Sequence, residues 1–219
     1  MIVNRDARVE RIIAECRIGK DNKAIDTHFP IHARVFRSAR RCRSHHSPEN
    51  ENAAFSHSYR LFGNTPALLG CGAAALYANP AVDAGQRELA EGIMRAAGTV
   101  VWVPKEDDLD PVTALSGSGP AYFFMLIETM IRTGVELGLE PAAAALLAEE
   151  TALGAARMAL ESEEDVTALR RRVTSPGGTT EAALEAMTAA RVPEGIAAGI
   201  RAAAARSAEL ARQFGSDEE

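Results

Sequence analysis

Aromatic side chains make up only 5% of this 219-residue sequence, so an interior of stacked rings is excluded and any core must be packed with small and aliphatic groups. Cysteine is equally scarce. Cys16, Cys42 and Cys71 are odd in number and scattered, which excludes a disulfide framework. No apolar run reaches the ~18 residues of a membrane span, since the run from Tyr122 to Ile127 is cut off by Glu128. The N-terminus carries no apolar stretch of the signal-peptide type, so a cytoplasmic location is expected. Histidine is absent after His57, and whatever chemistry the rest of the chain performs does without an imidazole.

The remainder is ordinary globular material, 47% hydrophobic and 25% charged and rich in alanine, enough for one substantial core or two small ones. The net charge of -6 hides a break. Residues 1–63 hold 12 Lys and Arg against 7 Asp and Glu, whereas residues 64–219 hold 12 against 23. All five histidines lie in the first part, and of 17 glycines only Gly19 and Gly63 do. Two regions with different histories are joined there.

In the first region, residues 5–18 could form a short charged helix with Val9, Ile12, Ile13 and Cys16 on one side. From Arg34 to Arg60 no period survives. Cys42, His45 and His46 invite a metal reading, but zinc sites usually offer four ligands in paired spacings and no second Cys pair exists. The arginines invite a nucleic-acid reading, but aromatics are not interleaved with them and no recognisable module surrounds them. A poorly ordered extension is the favoured reading, with no metal and no nucleic-acid partner.

The second region alternates short strands with helices, then turns wholly helical. Ala73–Tyr77 and the β-branched Thr99–Val103 read as strands flanking a helix over Asp83–Ala97, with Gly98 as its C-cap. After Lys105 the spacing predicts helices over Ala121–Leu139, from Pro141 through Leu146, Leu153 and Leu160 as one stripe, then over Asp165–Arg172, Thr179–Ala190 and Pro193–Phe214. The first of these is apolar nearly all round at its start, which predicts burial on every side. Small-residue faces on the others predict packing against another subunit. The fold class expected is mainly α: an all-helical domain over residues 105–219, preceded at 64–104 by a truncated α/β, Rossmann-like remnant, with 1–63 as an atypical segment.

Two loops interrupt the helices. Leu115-Ser116-Gly117-Ser118-Gly119-Pro120 opens the most apolar helix, and Val173-Thr174-Ser175-Pro176-Gly177-Gly178-Thr179-Thr180 opens the next-to-last one. In the second loop Pro176-Gly177 suits a tight turn with positive φ at glycine. The amides of Gly178, Thr179 and Thr180 would then point outward at a helix N-terminus, a place for a carboxylate or phosphate. Capping by Ser175 or Thr179 alone needs no ligand, yet two hydroxyls, two glycines and a proline exceed what capping requires.

At these residues the sequence resembles the pyrroline-5-carboxylate reductase family. The matching stretches are Asn64–Leu68, Ala75–Pro80, Val112–Phe124 and Val173–Leu184, in family order and spacing over residues 64–215. The resemblance implies an N-terminal Rossmann domain, a helical dimerisation domain within a homodimer or larger ring, and hydride transfer from reduced NADP or NAD to the C=N carbon of 1-pyrroline-5-carboxylate, giving L-proline. It also implies roles. Gly178 and Thr179 would hold the substrate carboxylate beside Ser175, the Thr180 hydroxyl would face the ring nitrogen as the catalytic group, and Glu106 would approach the substrate across the dimer. Asn64, Thr65 and Pro66 would belong to the cofactor side, with Ser116 and Ser118 beneath the nicotinamide.

The sequence departs from the family pattern in places. Phe62-Gly63 stand where Met-Pro is usual, Pro111 where alanine is usual, and Arg171 and Arg172 where Asp and often Asn occur; Thr188 replaces an acidic or amide residue. Before Gly63 no glycine-rich strand-to-helix turn for a pyrophosphate is found, because two glycines 44 apart cannot make a G-x-G-x-x-G. The Arg/Ser/His texture of 1–63 is that of an out-of-frame reading or a rearrangement. The expected function is pyrroline-5-carboxylate reduction, with an inactive helical dimerisation module as the alternative.

Overall fold

The computed structural model describes residues 59–215, which are mainly helical with one small sheet. The helix read at 5–18, the Cys42–His45–His46 cluster and the arginine-rich run up to Ser58 lie outside the described residues. The chain divides into two compact units: residues up to Gly117 together with those from Ser207 onward, and Ser118–Arg206.

The first unit is organised by a three-stranded sheet in the order β1-β2-β3, comprising β1 (Tyr59–Phe62), β2 (Gly72–Ala78) and β3 (Gly98–Trp102). β2 pairs antiparallel with β1, from Tyr59 opposite Ala78 to Phe62 opposite Ala75. It pairs parallel with β3, from Gly72 opposite Gly98 to Leu76 opposite Trp102. β2 is paired along both edges, and its side chains do not strictly alternate: Ala74, Ala75, Leu76 and Ala78 are buried while Ala73 is exposed. The strand β1 falls inside the stretch that composition set apart at residues 1–63. Four residues carry no readable period, and β1 takes its backbone partners from β2.

The helix α1 (Ala84–Arg95) starts on a reciprocal capping box. Asp83 Oδ1 accepts the Gln86 N–H at 2.8 Å and Gln86 Oε1 accepts the Asp83 N–H at 3.0 Å. Gly98 is not the C-cap that the sequence predicts. That position is Ala96, in right-handed conformation, while Gly98 opens β3 at φ +147°. The physical reason is close approach. A Cβ at Gly98 would stand 2.0 Å from the Gly72 carbonyl oxygen, and one at Gly72 would stand 2.8 Å from both Ala97 O and Ala67 Cβ.

Beyond β3 the chain makes a 3-10 turn (Glu106–Asp108), the short α2 (Leu109–Val112) and a π-helical turn (Thr113–Gly117) around the fully buried Ala114. The sequence reads the chain after Lys105 as helical with a loop over Leu115–Pro120; Leu115–Gly117 instead belong to the π-helical turn, and the next helix already starts at Gly119. Ser207 Oγ donates to Asp110 Oδ1 at 2.6 Å.

The second unit holds α3 (Gly119–Glu136), α4 (Pro141–Glu161), α5 (Val166–Arg172), α6 (Thr179–Ala189) and the start of α7 (Val192–Gly215). α3 and α4 form a hairpin turning at Gly138, φ +101°. Its contact is built from small residues. A Cβ on Gly134 would sit 3.3 Å from Ala144 Cβ, and Ala144 and Ala148 are buried. The burial of α3 on every side is not met within this chain, since Phe123 and Phe124 stay 62% and 64% exposed. The Leu146–Leu153–Leu160 stripe likewise faces outward, with α4 turning Ala144 and Ala148 inward instead. No described helix is long and apolar enough to cross a membrane.

Two tests follow from this packing. Gly98→Ala should lower unfolding free energy by about 3 kcal/mol or more, whereas Gly92→Ala, in open space within α1, should raise it by about 0.5–1 kcal/mol; urea titration reads both. The second concerns Glu91, whose carboxylate accepts the Trp102 Nε1–H at 2.8 Å and pairs with Arg95. These two contacts, the indole first, hold its carboxyl below the ordinary value of 4.5. A depressed native value stabilises above the unfolded value and is lost as pH falls through the native one. The stability difference between the chain and Glu91→Gln should therefore be present near neutrality and vanish in acid.

Candidate functional site

Both functional loops read from the sequence can be followed in the structure, the second where α5 hands over to α6. Asp165 caps α5, accepting the N–H groups of Thr167 and Ala168 at 2.8 Å, and α5 ends in Arg170, Arg171 and Arg172. The Thr174 hydroxyl closes that end by donating to Arg170 O at 2.7 Å. Ser175-Pro176-Gly177-Gly178 then turns sharply, with Gly177 at φ +70° and the Gly178 N–H donating to Ser175 O at 3.0 Å. A Cβ on Gly178 would meet that same oxygen at 2.9 Å, so a side chain there would open the turn.

Gly178 is the extended residue preceding α6, and no side chain caps the helix. Its amide is spent inside the turn, so the outward donors are fewer than the sequence expects. Among the described residues the N–H groups of Thr179 and Thr180 have no acceptor, as the first turn of any helix leaves them. Neither threonine hydroxyl is engaged there either. Thr179 and Ser175 are exposed and Thr180 half-buried. Glu181 is the residue that sequence reasoning missed: its Oε2 accepts the Gly177 N–H at 2.6 Å. A glutamate in the third helical position is the usual capping-box signal, and that signal was available. Donors at a helix N-terminus suit a small carboxylate.

A second cluster lies in the first unit. Asn64 is half-buried, and both ends of its carboxamide are engaged. Its Nδ2 donates to Ser116 O at 3.1 Å and its Oδ1 accepts the Ala73 N–H at 3.0 Å. Ser116 Oγ donates to Ala73 O at 3.0 Å. Three segments are thus laced together: the 3-10 turn of Thr65–Leu69 that follows Asn64, the start of β2, and the π-helical turn. Thr65 is exposed and Pro66 half-buried on that 3-10 turn, and Glu106 is exposed at the start of its own. Asn64, Thr65, Pro66, Glu106 and Ser116 belong to the first unit; Ser118, Ser175, Gly178, Thr179 and Thr180 belong to the second.

A nicotinamide dinucleotide needs a glycine-rich strand-to-helix turn for its pyrophosphate. Among the described residues the passage from β2 to α1 is the one that leads from a strand directly into a full helix, and it fails this requirement. Asp83 caps α1 and places a carboxylate on the amide a phosphate would need. No described cluster of His, Cys, Asp and Glu is arranged to hold a metal ion.

Residues 106–210 match the family model for pyrroline-5-carboxylate reductase dimerisation. Over this segment the chain is similar to the pyrroline-5-carboxylate reductases. The pyrroline-5-carboxylate reductase of Pseudomonas aeruginosa is 51% identical over 156 residues, 71% of this chain and 57% of the relative. That of Synechocystis is 42% identical over 154 residues, 70% of this chain and 57% of the relative. Among solved structures, the pyrroline-5-carboxylate reductase of Coxiella burnetii superposes with a TM-score of 0.68 at 48% identity, covering 69% of this chain and 56% of its own. The Plasmodium falciparum enzyme, solved with NADP bound, gives 0.65 at 30% identity, covering 68% and 58%. The chain thus spans about 57% of the length of the curated reductases it matches.

The Glu181–Gly177 bond is directly testable. Glu181→Ala should cost about 1–2 kcal/mol, the worth of a hydrogen bond to a charged acceptor, and Glu181→Gln, which keeps an acceptor oxygen, should recover about half of it. Denaturant unfolding measures both, and equal losses in the two variants would contradict the bond.

Proposed function

We propose that this chain carries the substrate half of a pyrroline-5-carboxylate reductase, the enzyme that reduces 1-pyrroline-5-carboxylate to L-proline in proline biosynthesis. The observation that carries the reading is the Ser175–Thr180 turn. It presents unengaged amides at an 11-residue helix inside the segment that matches the reductases. The Thr179 and Thr180 N–H groups bind the substrate carboxylate. Gly178 keeps the turn closed and leaves room for the ligand, and Ser175 lies beside it. The Thr180 hydroxyl hydrogen-bonds the ring nitrogen, and Glu106 approaches the substrate from a second subunit.

Imine reduction asks little of side chains. The substrate nitrogen is protonated before the reaction, and the C=N electron pair moves onto it as hydride reaches the carbon. The ring then leaves as a neutral or protonated secondary amine. A reduced nicotinamide nucleotide, NADP or NAD, supplies the hydride. The protein's own part is to fix the carboxylate and orient the nitrogen, which orders the reactants and favours the changing charge. Thr65, Pro66 and Ser116 are read as cofactor-side residues, as is Ser118, with Asn64 supporting Ser116. The sheet and α1 are read as the end of a Rossmann-like domain, residues 64–104 in extent, with 105–219 as substrate and dimerisation domain. The pyrophosphate must be held by residues other than those described, and the setting proposed is cytoplasmic.

A second reading rests on two specific observations. The leucine stripe of α4 faces outward, with Leu160 85% exposed, and the β2-to-α1 passage is capped against phosphate. On this reading the chain is a catalytically inactive module that pairs with other subunits through its helices, as a homodimer or larger homo-oligomer.

One assay separates the two. The purified full chain, given 1-pyrroline-5-carboxylate with NADPH or NADH, should oxidise one nucleotide and form proline, and Thr180→Val should reduce kcat/KM by about 10–100-fold, the loss of one hydrogen bond to the reacting centre. No turnover with either nucleotide, from a chain that sediments as a dimer, would establish the module instead.

A further inference from the structure

The resemblance places Asn64 on the cofactor side, yet both polar atoms of its side chain already have partners within the chain. The carboxamide has one donor group directed at Ser116 O and one acceptor atom taken by the Ala73 N–H, at 3.1 and 3.0 Å. Ser116 Oγ returns to Ala73 O at 3.0 Å. The result is a closed circuit of three hydrogen bonds among residues 9, 43 and 52 positions apart. Hydrogen bonds across such separations fix tertiary placement and not local conformation. Of the two turns they join, the π-helical one is the less self-supporting, because its backbone bonds are of the rare i→i+5 kind.

We propose that Asn64 is a positioning residue: it fixes the Thr113–Gly117 turn, and with it Ser116, against the first residues of β2, and it does so without touching cofactor or substrate. This rests on the reading of Ser116 as part of the nicotinamide floor. Asparagine is the side chain that fits, since the same planar group must donate at one end and accept at the other. Aspartate keeps the acceptor for Ala73 but sets a second oxygen against the Ser116 carbonyl. Alanine releases both partners. The two substitutions therefore cut the circuit at different places.

The test uses the full chain and two separate readouts. Backbone amide exchange by NMR needs no activity. In Asn64→Asp the Ala73 amide should stay protected while the amides of residues 114–117 exchange about tenfold faster; in Asn64→Ala both should speed up by that factor. Unchanged exchange at 114–117 in both variants overturns the proposal. Steady-state kinetics supply the second readout. Asn64→Asp should lower kcat about tenfold and leave KM for pyrroline-5-carboxylate within about twofold, because the carboxylate donors sit on α6. A residue that only stabilises the fold would lower the melting temperature without this split, and kinetics unaltered in an active chain also overturn the proposal. A wild-type chain without turnover refutes the functional reading, and the exchange readout then decides the role of Asn64 by itself.

Discussion

The first unit depends on one contact, the backbone of Gly98 lying directly against that of Gly72. No side chain could be admitted there, since a Cβ at Gly98 would fall 2.0 Å from the Gly72 carbonyl oxygen. The contact begins the parallel pairing, so it sets the register in which Ala73 faces Thr99 and Leu76 faces Trp102. Register in turn decides where the two backbone groups of Ala73 stand. Those groups are the ones that meet Asn64 Oδ1 and Ser116 Oγ. A steric fact about two glycines thereby reaches, through one strand residue, the turn that carries Ser116. The tolerance is small at each link because every partner is backbone or a short side chain with few rotamers.

In the second unit the economy is different. α3 and α4 approach through Gly134, Ala144 and Ala148, small groups that bring the backbones close but bury little apolar area. At ~25 cal/mol per Å², contacts of this size contribute much less than the leucines and phenylalanines that remain outside. An exposed apolar surface of Phe123, Phe124, Leu146 and Leu153 is unusual on a lone protein. The family model that matches this segment is one for dimerisation. The alanine-rich composition is thus intelligible twice over: small residues allow the intrachain contact, and they leave the large ones free for another surface.

How much of this was legible beforehand follows the physics of each signal. The helices of the second unit were readable to within a few residues because caps and prolines mark their starts: Pro141, Asp165 and the Gly178-Thr179 junction. The two longer strands were readable as apolar runs between turn residues. β1 was not, since four residues have no period and pairing is a property of the partner. Gly98 was misassigned because its positive φ serves a neighbour distant in sequence, which composition cannot express. The leucine stripe was located correctly, but which side of α4 would meet α3 depends on the fit of Gly134 to Ala144. In the candidate site the residue types were legible in the motif, whereas the spending of the Gly178 amide and of both ends of Asn64 could be seen only in three dimensions.

The charge break bears on how an acidic region could bind an anion. Residues 64–219 carry 23 acidic groups against 12 basic, yet the proposed ligand is a carboxylate. At physiological ionic strength the field of distant charges fades over ~8 Å, so the groups within the first shell decide. At the Ser175–Thr180 turn those are oriented amides at the positive end of α6, and Arg170, Arg171 and Arg172 precede them in sequence. Arg172 is tied to Glu164 at 3.1 Å. Glu181, the nearest acidic residue in sequence, has its carboxylate on the Gly177 N–H. Its negative charge is therefore part of the turn's own construction. The groups of the turn itself, and not the net charge of the chain, therefore decide which ligand it accepts.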